Sequence, residues 1–248
     1  MTSEPPSSPS PCAIDRSVRA GRLRQSLERL GFADEANDPG MVAGLLQMKI
    51  ALMGNMNNAF FAFARYLADL GLDTTLLTFP FEISHFLPEC DTYQTGHGVT
   101  IRQLPWTHVM AAESDWLYSH VSEFDYIFGC GLSVAFMARI GLDLDVFFPY
   151  GSDLYEYPFL WSDDGDYDKH RDPSRYFFGK WQAAGLAHCR AIWSYDSFVD
   201  AEVAKIVNDA NIVEMHAPFV HAPSYQGQNL AATIAQSPFS PRFQDIRR

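Results

Sequence analysis

The sequence is poor in positive charge. It has 18 lysines and arginines against 30 aspartates and glutamates in 248 residues, which gives a net charge of −12 at pH 7. Binding to a nucleic-acid backbone or to an anionic lipid surface depends on clustered lysine and arginine. The composition therefore argues against both kinds of partner, and we expect no nucleic acid to bind.

Long apolar segments are also missing. No apolar run approaches the ~18 residues that a membrane span needs. The N-terminus lacks a charged start followed by an apolar block of roughly 7–15 residues, the pattern of a secretory signal. These absences predict a cytoplasmic protein with no transmembrane segment.

Motifs for metals, nucleotides and nucleophiles are absent as well. The eight histidines do not cluster, and the acidic run at 162–172 lacks the glycine and acidic positions of a calcium loop. The sequence contains no G-x-G-x-x-G, P-loop or G-x-S-x-G motif. We expect neither a metal nor a cofactor. No two cysteines have metal-ligand spacing, so we expect reduced thiols at Cys12, Cys90, Cys130 and Cys189.

Strand and helix patterns alternate from Gln47 onward. The helix after the first strand places Phe60, Phe63, Ala64 and Leu67 on one face and ends at Gly71. Such alternation predicts an α/β fold: a Rossmann-like, mostly parallel sheet with helices on both faces. The predicted strands are 48–53, 73–79, 99–104, 125–131, 145–153, 190–196 and 211–219.

The composition divides the chain into four parts. Residues 1–14 are rich in serine and proline, so we expect disorder there. Residues 15–46 are predicted to be a helix and a linker, with a turn at "ANDPG". Residues 47–222 form the Rossmann-like domain, and 223–248 are predicted to be irregular.

Ligands of parallel sheets bind beyond the carboxyl ends of the strands. In the loop after the first strand, Gly54, Asn55 and Asn57 are candidates for binding a ligand that carries hydroxyls or negative charge. The alternative is that Asn57 or Asn58 only caps the next helix. A single glycine makes dinucleotide binding improbable.

A later strand end, "PYGSDL", carries a hydroxyl and a carboxylate. Gly151 permits close approach of a ligand, Ser152 and Asp153 can bind sugar hydroxyls, and Asp153 can act as a base if its pKa is raised. The alternative is a turn in which Ser152 and Asp153 bind their own backbone. His85 follows the second strand and is a further candidate, with a structural role as its alternative.

Three stretches together resemble a known family. They are "KIALMGNMNNAFFAFARYLADLGLDTTLLTF", "FDYIFGCGLSVAFMARIGLDLDVFFPYGSDLYEYPF" and "KWQAAGLAHCRAIWSYDSF". Their order and spacing resemble the GT-B glycosyltransferases, most closely the glycosyltransferase-4-like N-terminal domain, over about residues 48 to 222.

The resemblance implies hexosyl transfer from a nucleotide-sugar to a glycan, lipid-linked or small-molecule acceptor, without a metal. In this family the N-terminal domain mainly binds the acceptor, and a second Rossmann-like domain holds the nucleotide-sugar donor. The resemblance places Gly54, Asn55 and Asn57 in the first loop of the acceptor cleft. It places Gly151, Ser152 and Asp153 at a strand end on the same side.

The family's second domain has no counterpart before Arg248. We therefore expect residues 223–248 to begin a donor domain that is missing or separate, and the chain alone to bind acceptor weakly and transfer nothing. Two other classes remain open. One is a non-catalytic sugar- or nucleotide-binding module, and the other is half of a GT-B-like sugar-nucleotide epimerase.

Overall fold

The structure is a computed structural model that describes residues 16–79, 82, 88, 98–104, 114–159, 173–194, 197–207 and 212–214. In this part of the chain, one sheet contains seven strands, all of them parallel to their neighbours. They are β1 (Lys49–Met53), β2 (Asp73–Thr78), β3 (Thr100–Gln103), β4 (Tyr126–Gly129), β5 (Val146–Phe147), β6 (Ala191–Ser194) and β7 (Ile212–Glu214).

The strand order is β3-β2-β1-β4-β5-β6-β7. The chain builds the sheet outward from β1 to β3 and then returns to the other side of β1 with β4. The order therefore reverses between β1 and β4, where Met53 pairs with Gly129. A reversal of this kind opens a crevice at the carboxyl edge of a parallel sheet.

Apolar residues from both faces of the sheet are buried. On β1, Ala51 and Met53 enter one core cluster, while Leu52 enters another. Successive side chains of a strand point to opposite faces, so these clusters lie on the two sides of the sheet. A strand covered on both faces has an uninterrupted apolar sequence, as "IALM" does. The predicted Rossmann-like α/β fold is confirmed.

Helices cover both faces. The face of Leu52 packs against Phe60, Phe61 and Ala64 of the helix after β1, and the opposite face packs against the remaining helices of the domain. The helices of the described residues are α1 (Arg16–Arg29), α2 (Ala33–Asn37), α3 (Pro39–Gln47), α4 (Ala59–Asp69), α5 (Ser114–Val121), α6 (Ser133–Arg139), α7 (Ser152–Tyr155), α8 (Pro173–His188) and α9 (Ser197–Ala204). No helix in this part of the chain is long and apolar enough to cross a membrane.

The segment before β1 differs from the predicted single helix with a linker. Between Gly31 and Lys49 the chain forms α2 and α3. The "ANDPG" sequence joins these helices because Asp38 accepts hydrogen bonds from the amides of Gly40 and Met41, and Pro39 starts α3. The unit docks on the domain through Arg19, whose Nε donates to the carbonyl of Gly71 over 2.8 Å.

Two further boundaries differ from the prediction around "DVFFPYGSD". The strand predicted at 145–153 pairs only over Val146–Phe147, and α7 then begins at Ser152. After α7 the chain forms a 3-10 turn at Tyr157–Phe159. Pro149 lacks an amide hydrogen and cannot extend the ladder.

Candidate functional site at the carboxyl edge of the sheet

The candidate site lies at the crevice between β1 and β4. The amide of Gly54, just after β1, donates to the carbonyl of Leu77, and the amide of Cys130, just after β4, donates to that of Met53. The ladder thus extends one residue past each strand. It places the loops that begin at Gly54 and Cys130 side by side.

Asn55 organises the first loop. Its side chain is fully buried, and its Oδ1 accepts a hydrogen bond of 2.8 Å from the amide of Phe61 in the first turn of α4. Its Nδ2 donates to Oδ1 of Asn58 over 2.7 Å. The helix cap predicted at Asn57 or Asn58 is therefore supplied by Asn55. This was not foreseen because a 3-10 turn, in which Asn57 and Asn58 have φ of 53° and 60°, separates the cap from the helix.

Glu82 reaches this loop from beyond β2. Its Oε1 accepts a hydrogen bond of 2.5 Å from the amide of Asn55, and its Oε2 accepts one of 3.2 Å from the amide of Phe79. Burial raises the pKa of Glu82 from 4.5 to about 7, against the two amide hydrogen bonds, which lower it. The side chain is half-buried and keeps some contact with solvent. Glu82 can therefore exchange a proton near neutral pH.

Asp153 holds the loop after β5. Its carboxylate accepts hydrogen bonds from the amides of Tyr150 (2.9 Å), Gly151 (2.7 Å) and Gly131 (3.0 Å). The first two form the predicted turn, while the third joins this loop to the one after β4. Gly151 has φ of 150° and ψ of −107°, a conformation that glycine alone adopts readily.

The pKa of Asp153 is raised from 3.8 to about 6 because burial outweighs the hydrogen bonds from the backbone. The residue is 1% exposed, so its carboxylate faces its own loops. Gln182 of α8 reinforces the arrangement, since its Nε2 donates to the carbonyls of Gly131 and Asp153 over 2.9 and 2.8 Å. The side chain of Asp153 therefore positions the backbone of the loops after β4 and β5.

The thiol of Cys130 interacts electrostatically with both carboxylates. Burial raises the pKa of its thiol well above 9.0, a hydrogen bond from the backbone of Met56 lowers it, and the charges of Glu82 and Asp153 raise it further. The thiol is therefore a neutral, buried group in the field of both acids. Cys130 and Cys189 are free thiols.

The structure brings together Gly54, Asn55 and the missed Glu82 in one cluster. A Cβ built at Gly54 would lie 2.9 Å from Sγ of Cys130 and 3.6 Å from Oε1 of Glu82. Asn57 is exposed beside this cluster, and Ser152 is half-buried next to Asp153. His85 lies outside the described residues, as do residues 1–14 and 223–248. The described residues contain no group of three or more histidine, cysteine, aspartate or glutamate side chains that could hold a metal.

Glu82 was not predicted as a site residue, although His85 in the same segment was. His85 was predicted as a candidate because it follows the second strand, and Glu82 lies three residues before it. An acidic residue between two apolar ones in "PFEISHF" was the available signal. Its significance depends on burial and on the amide of Asn55, which local sequence does not reveal.

Replacing Gly54 by alanine should lower the free energy of unfolding by about 2 kcal/mol more than the same change at Gly131. Both glycines have positive φ, 87° and 60°, but a Cβ at Gly131 would meet nothing within 4 Å. The Gly131→Ala variant is therefore the control for backbone strain. Urea unfolding of both variants measures the difference, and equal losses would show that Gly54 is not crowded by Cys130 and Glu82.

Comparison with known proteins gives no match to this chain, either among protein-family models or among curated proteins.

Proposed function

We propose that this protein is the acceptor-side domain of a glycosyltransferase, which holds an acceptor at the crevice between β1 and β4 while a hexosyl group is transferred from a nucleotide-sugar. The observation that carries the proposal is Glu82, a half-buried carboxyl with a pKa of about 7 at the point where the strand order reverses. The sequence resemblance over residues 48 to 222 supplies the reaction class.

In the proposed reaction an acceptor hydroxyl attacks the anomeric carbon of the donor sugar. A new carbon–oxygen bond forms there, and the bond to the nucleotide's diphosphate oxygen breaks with its electron pair. Glu82 takes the proton of the attacking hydroxyl. Asp153 and Asn55 act as positioning residues because their side chains fix the loops on either side.

Binding of glycans tests the proposal. The 248-residue chain, screened on a glycan array and titrated by calorimetry, should bind a subset of uncharged glycans. Asn57→Ala and Ser152→Ala should each lower the affinity for the tightest-binding glycan by about tenfold, the effect of losing one hydrogen bond. Asn37→Ala, a change of the same type on exposed α2, should leave affinity unchanged.

Two results would contradict the proposal. One is a chain that binds no glycan on the array. The other is a bound glycan whose affinity does not respond to either loop variant, which would place its site elsewhere. Tight binding of nucleotide-sugars with no glycan binding would instead favour the nucleotide-binding module.

A further inference from the structure

Rossmann-like proteins bind phosphate at the crevice because backbone amides of the strand-end loops are free to donate to it. In this protein, two of these amides already donate to carboxylates of the chain itself. The amide of Asn55, after β1, donates to Glu82, and the amide of Gly131, after β4, donates to Asp153. The crevice therefore has an acid bound to the loop on each of its two sides.

The two carboxylates are held in corresponding ways on the two sides of the crevice. Glu82 reaches inward from the strand on one side of β1, and Asp153 reaches inward from the strand on the far side of β4. Each carboxylate also accepts from the backbone of its own loop, through Phe79 or through Tyr150 and Gly151. These bonds keep the acids in place when they are ionised.

The charge is not neutralised locally. Within the described residues, neither Glu82 nor Asp153 forms an ion pair with a lysine or arginine; the recorded ion pairs belong to other acids. Cys130, whose thiol is affected by both charges, is buried and neutral. A phosphate that entered this crevice would thus find both amides occupied and would be repelled by the charges of Glu82, which is half-buried, and of Asp153, which is buried behind its own loops.

We propose that Glu82 and Asp153 are specificity determinants that exclude phosphate from the crevice, so that it takes an uncharged, hydroxyl-rich part of the acceptor. This inference rests on the proposed function, because it names the acceptor chemistry of the same site. Each oxygen of an ionised carboxylate has about two lone pairs. Glu82 uses one amide donor per oxygen and is half-buried, so it retains acceptor capacity for a ligand hydroxyl.

The test uses pyrophosphate as the anionic probe. Its binding is monitored by ¹⁵N amide spectra of the 248-residue chain at fixed ionic strength and about pH 8. In the wild type, the amides of Asn55 and Gly131 should not shift, which corresponds to a Kd weaker than about 10 mM. The Glu82→Gln/Asp153→Asn double variant keeps side-chain acceptors but removes both charges. It should bind pyrophosphate at least about tenfold more tightly, with shifts at these two amides.

The Glu35→Gln/Asp143→Asn double variant is the matched control, because it removes the same charge from positions on α2 and before β5. It should behave as the wild type. If the spectrum of the crevice double variant shows that it is unfolded, Glu82→Gln alone should gain pyrophosphate binding with shifts at Asn55. Wild-type shifts at Asn55 and Gly131, or no gain in a folded crevice variant, would overturn the inference.

The glycosyltransferase proposal fails by a different result. If pyrophosphate is excluded by the wild type and admitted by the variant, but no glycan binds, the two acids exclude phosphate in a site with another function. If glycans bind at the crevice and pyrophosphate binds there equally well, the acceptor role stands and the exclusion by Glu82 and Asp153 is wrong.

Discussion

Replacing Asp153 by alanine is expected to lower the free energy of unfolding by about 3 kcal/mol, the cost of leaving several backbone donors without a partner. The carboxylate accepts from the amides of Gly131, Tyr150 and Gly151, and the residue is 1% exposed. The loss should therefore exceed that of a surface aspartate.

Two further variants make this prediction specific. Asp143→Ala removes an exposed aspartate of the loop before β5 and should change stability by less than about 0.5 kcal/mol. Asp153→Asn keeps one oxygen acceptor and should cost less than Asp153→Ala. Urea unfolding of the three variants at one pH gives the comparison. A loss for Asp153→Ala no greater than for Asp143→Ala would show that Asp153 does not hold the loops together.

The free energy of unfolding should fall as the pH rises from about 4 to 7, with Asp153 alone contributing about 3 kcal/mol to the fall. Burial raises the pKa of Asp153 from 3.8 to about 6 and that of Glu82 from 4.5 to about 7. Between these values the folded state holds more protons than the unfolded state, so raising the pH favours unfolding. The stabilisation is complete below the unfolded pKa values and lost above the folded ones.

The variants Glu82→Gln and Asp153→Asn isolate these contributions, because the glutamine and asparagine side chains do not titrate. Each should show a shallower fall in stability across this pH range than the wild type, whatever its stability at low pH. Urea unfolding at several pH values provides the slopes. A wild-type slope that neither substitution changes would mean that the two carboxyls titrate at their ordinary pKa values in the folded protein.

The fold was predictable because its signals are local and repeated. The uninterrupted apolar run of β1, the apolar spacing of α4 and the glycine at 71 each specify an element without reference to the rest of the chain. The strand order does not follow from such signals, because it depends on which strands pair. The end of β5 was placed too late and α7 was not predicted, because a buried apolar run continues past the last paired residue.

The segments that form the site were predictable from the sequence, but the hydrogen bonds between them were not. The strand-end rule found the segments of Gly54, Asn55 and Asp153, since it needs only the positions of the strands. The partner of the Asn55 amide, Glu82, lies 27 positions away. Likewise, Asp153 bonds Gly131 across 22 positions. Contacts of this range arise from the pairing of β1 with β2 and of β4 with β5, which single-sequence patterns do not encode.

The same contacts explain why a glycine follows β1. Gly54 has positive φ and is closely surrounded by Cys130 and Glu82, so its lack of a side chain serves packing within the protein. The amide that follows it donates to Glu82. Backbone amides at such strand-end loops bind phosphate in nucleotide-binding proteins, whereas here the amide of Asn55 is occupied by a carboxylate of the chain itself.

We propose that the acceptor binds at the carboxyl edge between β1 and β4. The most direct test is an amide chemical-shift map of the 248-residue chain with the glycan that binds best on the array. The largest shifts are expected in the loops at 54–58, 130–133 and 150–153. Largest shifts at the opposite edge of the sheet, in the loops at 70–72 and 141–145, would contradict it.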